Sequence, residues 1–334
     1  MKLLFVSNKE GNAYELFKSM ELHNKIKPKF INLKRKPLNK LIKKIFIKLG
    51  FPLDEFSFND SLLKLDLNQY DVIFIVKGIT ILPNTLSSIK KNKPNIKLVS
   101  WSLDDMYARH NNSFYYKKGL KFYDYIFTTK SYNVNELKSF NAKKIIFHYQ
   151  CCNDYIFNYK KSVKAPNKVD VSFVGFPEKQ RFESLKFLAQ NGIKVNIYGS
   201  VKWKSRKYNF KHPNFIVEPR QLDFNEYIDK IAESKLSICF LRKMNRDLHT
   251  TRSVEIPAIG TLMIAEKTIE HSKLFKENEE AIFFKNNLEL LKKIKFYLKN
   301  EQKRKRIADN GQKRIKELGL SNSSFLNFFY EQIN

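Results

Sequence analysis

Short apolar runs recur along the chain at spacings that leave room for a helix between each pair. In the first half they are Leu3–Ser7, Phe30–Leu33, Val72–Val76, Leu98–Leu103, Tyr125–Thr129 and Ile145–Tyr149. A polar stretch with Pro166, Lys160–Lys168, interrupts the pattern. The series then restarts with Val169–Gly175, Val195–Gly199, Phe215–Glu218, Leu236–Leu241, Leu262–Ala265 and Ile282–Phe284. Strands that read as continuous apolar runs and alternate with helices belong to parallel sheets covered on both faces. Two such series predict an α/β chain with two Rossmann-like parallel-sheet domains facing a cleft. The expected boundaries are 1–160 for the first domain and 169–311 for the second. Gly311 and Gly319 are expected at helix ends, and a terminal helix over 312–334, carrying FLNFFYEQI, is expected to return to the first domain.

In open parallel sheets, ligands bind beyond the carboxyl ends of the strands, so the chemistry is sought in those loops. The segment DLHTTRSVEIPAIGTLMIAE, Asp247 to Glu266, is the most informative of them. It reads as a short helix, a glycine-permitted turn and a buried strand. A helix N-terminus suits a phosphate, and a nearby carboxylate, which only accepts hydrogen bonds, suits a ribose diol. Cations for a diphosphate leaving group are Arg181, Arg242, Lys243 and Arg252, of which Arg242 and Lys243 directly follow an apolar run. Each alone reads equally as a solvated surface charge, and Arg252 could pair with Glu255 one turn on. Gly175 and Gly199, the latter followed by Ser200, allow a backbone to approach a phosphate closely.

On the acceptor side, Asn8, Gly11 and Asn12 occupy the first strand-to-helix loop. Asp104 and Asp105 end LVSWSLDD, where a carboxylate of raised pKa could deprotonate a hydroxyl; the alternative is an N-cap for Met106 onward. His110 and His148 are further candidates, although a lone histidine is more often a packing residue. No Walker loop, HExxH, CxxC pair or GxGxxG appears, so a nicotinamide enzyme is disfavoured, and no metal or other cofactor is expected. The three cysteines, Cys151, Cys152 and Cys239, have no ligand spacing and read as reduced packing residues.

The charge is strongly basic: 62 Lys and Arg against 33 Asp and Glu, a net +29. That balance favours an anionic partner, or reflects coding bias in a chain rich in Lys, Asn, Ile and Phe. LNKLIKKIFIKL, Leu38–Leu49, preceded by the basic Lys34–Lys36, is the clearest amphipathic stretch. It suits either a helix lying on an anionic membrane or a helix packed on the first sheet with a wet lysine face. MKLLFVSNKEGN lacks the features of a signal peptide, and no run reaches the ~20 apolar residues of a membrane span. A cytoplasmic protein, with possible contact at the inner face of the cell membrane, is expected.

RSVEIPAIGTLMIAEKTIEHSKLF, KENEEAIFF, LELLKKIKFYL and KRIADNGQKR resemble the C-terminal domain of the CgeB-like spore-maturation proteins. These are GT-B glycosyltransferases related to glycosyl transferases group 1. DVSFVGFPEKQRFESLKFL, VNIYGSVKW and SICFLRKMNRD fit the same domain in order, and WSLDDMY and YDYIFTT resemble the first domain. The resemblance implies a nucleotide-sugar donor and a glycan, lipid-linked or protein acceptor. It also implies two glutamates seven residues apart flanking the donor. Glu255 fits the second, at the ribose, and Asp247 takes the place of the first, near the transferred sugar, as a shorter carboxylate. Two alternatives stand beside this reading. One is a catalytically silent GT-B protein that binds a partner. The other is a basic nucleic-acid binder, for which no recognition motif is present.

Overall fold

The computed structural model describes residues 1–33, 40–54, 57–162 and 168–334. It divides into two compact units. Unit 1 comprises Met1–Asn153, Arg242–Asp247 and Asn322–Asn334; unit 2 comprises Asp154–Leu241 and Leu248–Ser321.

In unit 1 the elements run β1 (Lys2–Ser7), α1 (Gly11–Glu21), β2 (Lys27–Asn32), α2 (Lys40–Leu49), α3 (Phe58–Leu63), β3 (Val72–Val76), α4 (Pro83–Asn92), β4 (Lys97–Ser102), α5 (Phe114–Gly119), β5 (Tyr125–Thr128), α6 (Asn133–Lys138) and β6 (Lys144–Phe147). The strands form one parallel sheet in the order β2-β1-β3-β4-β5-β6. VIFIV of β3 is buried throughout, as a central parallel strand must be, whereas the edge strands β2 and β6 are only half-buried.

Unit 2 runs β7 (Val169–Val174), α7 (Lys179–Gln190), β8 (Val195–Tyr198), β9 (Phe215–Glu218), α8 (Phe224–Ala232), β10 (Ser234–Cys239), α9 (Thr251–Ile259), β11 (Leu262–Glu266), α10 (Ile269–Leu274), β12 (Ile282–Phe284), α11 (Asn287–Lys299) and α12 (Glu301–Glu317). Its parallel sheet is ordered β12-β11-β10-β7-β8-β9. Read from β9, that is the doubly wound order 3-2-1-4-5-6, which reverses direction between β7 and β10. Such a reversal opens a crevice at the carboxyl ends of the two strands.

The last helix, α13 (Asn322–Ile333), belongs to unit 1. Its Phe325 and Phe329 enter the core beside β1, β3 and β4, and Phe329 meets the Phe74 ring edge-on at 5.3 Å. The returning helix therefore exists, but it starts later than the sequence suggested. Gly311 is not a helix end. It lies inside α12, where a Cβ would come within 2.5 Å of the Glu280 carbonyl, so glycine is required for close packing. Gly319, at φ +62, does follow the end of α12. Unit 2 begins at Asp154, earlier than the expected boundary, and most of the polar stretch 160–168 lies outside the described residues, as do Lys34–Lys36 and Leu38. No helix among the described residues is long and apolar enough to cross a membrane.

Candidate active site

The expected helix, turn and strand after Asp247 are α9, Gly260 and β11. Ser253 Oγ accepts from the Thr250 N–H at 3.0 Å, closing the N-terminal turn of α9. At its other end Gly260, φ +85, donates to Pro257 and Thr261 donates to Ile256, a left-handed cap that favours glycine. This frame fixes Arg252 and Glu255 on α9. The Arg252 Nε donates to the carbonyl of Val174, the last residue of β7, at 2.9 Å. The Glu255 carboxylate is buried and accepts from Tyr227 Oη on α8 at 2.5 Å. Burial pushes the Glu255 carboxyl up, and it outweighs the pull of Arg252 and of the Tyr227 hydrogen bond. Burial and the facing carboxylate raise Tyr227 well above its ordinary value, so it remains a donor. Glu255, Tyr227 and Arg252 thus form one cluster beside the crevice of unit 2.

Several residues near that crevice have other work. Arg181 is buried on α7; its guanidinium donates to the carbonyls of Phe176, at 3.1 Å, and Phe240, at 3.4 Å. It ties together the loops that follow β7 and β10. The Gly175 N–H donates to the Tyr198 carbonyl, and the Gly175 carbonyl accepts from the Trp203 indole. Gly199, φ +92, packs against it: a Cβ there would lie 3.4 Å from the Gly175 nitrogen. Ser200 caps the next turn by accepting from Lys202.

Unit 1 holds a second polar cluster, at the carboxyl ends of β3, β4 and β5. Lys77 follows β3 in a left-handed conformation, φ +62, and pairs with Asp104, which follows β4. Asn245 donates to the other Asp104 oxygen at 3.1 Å. Burial would raise the Asp104 carboxyl, but Lys77, Lys130 and Asn245 together hold it below the ordinary range. Asp105 is fully buried and receives a two-pronged bond from Arg246, at 2.6 and 2.8 Å, together with Asn133 and the Tyr107 N–H. It too is held low against the effect of burial. A base for a hydroxyl needs the opposite shift, so neither aspartate has the tuning expected of one. Asp105 anchors the 242–247 loop, and its bond to Tyr107 N–H closes a local turn. The capping alternative is corrected too: no helix starts at Met106, and the next one, α5, is capped by Ser113.

Asp247, in the same loop, is buried and paired with Lys130, which follows β5, at 2.6 Å. Burial raises its carboxyl, Lys130 pulls it down, and Asp104 pushes it up again. Arg242 is half-buried and Lys243 exposed, while the Arg242 carbonyl closes the loop by accepting from Asp247 N–H. His110 is held below the ordinary histidine range by burial, reinforced by Arg242 and Lys77 and opposed by Asp104 and Asn245. His148 is a packing residue. Its Nε2 accepts from the Trp101 indole at 3.0 Å, its Nδ1 donates to the Tyr149 carbonyl at 2.7 Å, and the ring lies 4.4 Å from Phe325. Asn8 and the exposed Gly11 and Asn12 follow β1. Asn12 lines a small pocket with Trp101, His148, Gln150, Asn322 and Phe325.

Sequence reasoning did not find Lys77, Lys130, Tyr227 or Arg246. The first two stand immediately or nearly so after central apolar runs, a position that could have marked them. Tyr227 and Arg246 carry no local signal, because their partners lie 28 and 141 residues away. Among the described residues, no group of three or more His, Cys, Asp or Glu side chains is placed to hold a metal ion. Cys152 and Cys239 are buried and Cys151 is half-buried.

Solved structures match this arrangement over the whole chain. The fold is GT-B. Sucrose-phosphate synthase from Thermosynechococcus elongatus superposes with a TM-score of 0.69 at 11% identity, covering 100% of this chain and 99% of its own. HepE from Anabaena in complex with UDP-glucose gives 0.68 at 14% identity, with the same coverage. An α-glucosyltransferase in complex with UDP-glucose and DNA containing an abasic site gives 0.70 at 16%, again covering 100% and 99%. A family model described as glycosyl transferase-like matches residues 180–319. Compared by sequence with curated proteins, the chain has no significant match.

Proposed function

We propose that this chain is a nucleotide-sugar-dependent glycosyltransferase, acting without a metal ion on a cell-surface glycan, lipid-linked or protein acceptor. The observation that carries the reading is Glu255: a buried carboxylate, oriented by Tyr227 and flanked by Arg252, beside the reversal point of a doubly wound sheet. A carboxylate held by one donor keeps acceptor capacity for the two hydroxyls of a ribose. The glycosyl transferase-like match over 180–319 and the UDP-glucose named with two similar structures support the donor class and make UDP the first nucleotide to test. The CgeB-like pattern of RSVEIPAIG and the segments after it supports the same class.

In this reading Arg242, Lys243 and Arg252 offset the charge that builds on the diphosphate as the glycosidic bond breaks. In unit 1, His110 is neutral at ordinary pH and takes the acceptor proton, while Asp104, kept ionised, orients Lys77 and Asn245. Asn8, Gly11 and Asn12 are on the acceptor side, and the enzyme works in the cytoplasm, where nucleotide sugars are made.

A thermal-shift screen against UDP, GDP, TDP and their common sugars tests the reading. A nucleotide at one hundred times its Kd adds about 2.7 kcal/mol of stability. The expected result is a shift with one nucleotide, unchanged by EDTA and lost in Glu255→Ala. No shift with any nucleotide, in a folded protein, overturns it.

A further inference from the structure

The fate of α2 is decided by exposure. In a helix packed on a sheet the apolar stripe turns inward and the lysines outward. Here most of the stripe is in water: Leu41, Ile42, Ile45 and Leu49 are 65%, 41%, 48% and 63% exposed, while Phe46 and Ile47 are half-buried. Successive members of 41, 45 and 49 lie one turn apart, with 42 beside them, so they make a continuous apolar ridge. Among the described residues, the core cluster with Leu4, Ile73 and Leu98 and the one with Phe5, Phe74 and Trp101 contain no residue of α2.

The ridge continues past the helix. Gly50, φ +84, turns the chain, and its carbonyl accepts from the Phe114 N–H at 2.6 Å, joining the end of α2 to the start of α5. That bond brings Phe51 against Phe114, with ring centroids 5.4 Å apart, and both rings are more than 40% exposed. The Lys118 ammonium sits 5.4 Å from the Phe114 ring. Charge surrounds this apolar surface. Lys44 and Lys48 are exposed on the flank of α2. Between Glu21 and Asp54 the sequence has nine lysines and one arginine and no acidic residue.

We infer that α2 and the Phe51–Phe114 pair form a docking surface for an anionic lipid bilayer. The apolar ridge enters the boundary between headgroups and acyl chains, α2 lying in the plane of the surface, while the lysines reach back to anionic headgroups. A second copy of the chain is the poorer occupant. A twofold contact through this face would set one acid-free basic segment against another, and like charges repel. A nucleic acid would satisfy the lysines but leave the Leu and Ile ridge in water. The inference does not depend on glycosyl transfer, since docking is read without donor or acceptor.

The test is flotation of the full chain with vesicles of phosphatidylcholine, with and without phosphatidylglycerol, at physiological salt. Binding is expected only to the mixed vesicles. Ile45→Glu, on the exposed ridge, should weaken it by about tenfold or more. Lys44→Glu with Lys48→Glu should weaken it by roughly 600-fold, as each nearby lysine contributes about fivefold and reversal doubles the change in free energy at each position. Thermal melts of the variants control for folding, because the substituted side chains are exposed. Absence of vesicle binding overturns the inference. So does a dimer in sedimentation that Ile45→Glu dissociates without vesicle binding, or DNA binding that Ile45→Glu leaves intact while vesicles fail to float.

Discussion

Lys130 and Asp247, 117 positions apart in sequence, form a buried ion pair at 2.6 Å, with side chains 3% and 5% exposed. Desolvating two charges is costly, and only their attraction and further hydrogen bonds offset it. Removing one partner should therefore hurt more than removing both. Lys130→Met is expected to lose about 3–5 kcal/mol, and Lys130→Met with Asp247→Leu markedly less. The single-variant loss should shrink as the pH falls, because burial already raises the Asp247 carboxyl and protonation then removes the stranded charge. Urea titrations of the four proteins in the cycle, at pH 7 and pH 5, read this directly. A double-variant loss equal to the sum of the two single-variant losses would show that the pair is not coupled.

Glu255 and Tyr227 make separable predictions for binding and for stability. Glu255→Gln keeps the shape and the acceptor for Tyr227 but removes a buried carboxylate whose ionisation burial opposes. Stability should change by less than about 1 kcal/mol, while nucleotide-induced stabilisation is lost. Tyr227→Phe instead strips Glu255 of its donor and should cost about 1–3 kcal/mol. Differential scanning fluorimetry with and without UDP distinguishes the two. Full retention of the UDP shift in Glu255→Gln would remove the ribose role from this residue.

What could be read in the sequence follows the range of the interaction that decides it. The strands were legible because a central parallel strand is apolar on both faces, so VIFIV and LMIA announce themselves without reference to anything distant. The α9–Gly260–β11 unit was legible because its caps and turn are local. Gly311 was misread because its cause is the Glu280 carbonyl across the packing, which composition does not display. For the same reason the partners of Arg181 and Asp105, the Phe240 carbonyl and Arg246, were not legible: they come from other elements. The orientation of α2 was undecidable from periodicity, which fixes that a ridge exists but not which way it turns.

Gly311→Ala opposes two effects of known sign. In an exposed helix interior the change would add about 1 kcal/mol of stability. Here the new Cβ would sit 2.5 Å from the Glu280 carbonyl and 3.4 Å from Pro257 Cβ. Overpacking of this kind costs about 1–3 kcal/mol, so α12 must shift away and the net result is a loss. A lower Tm in calorimetry is expected, and a raised Tm would mean that α12 relaxes without strain.

His271 gives the chain an acid-sensitive point away from the crevice. Its Nδ1 donates to the Glu266 carbonyl at 2.6 Å, and its Nε2 accepts from Ser253 Oγ at 2.7 Å, which also receives the Thr250 N–H that closes α9. This arrangement needs the neutral ring, and burial, aided by His249 and opposed by the Glu266 and Glu270 contacts, holds the folded value down to about 4. The unfolded chain, with a value near ~6.5, takes up a proton first as the pH falls. Stability is therefore complete above pH ~6.5, declines progressively toward pH 4 and levels off below it, for a loss of up to roughly 3 kcal/mol. His271→Gln lowers stability at pH 7 through its altered hydrogen bonds but should flatten the curve across that window. Urea midpoints measured at half-unit steps from pH 7.5 to 4 provide the comparison. Parallel curves for the two proteins would assign the acid sensitivity to other groups; convergence of the two as the pH falls would assign it to His271, and with it the tether between α9 and α10.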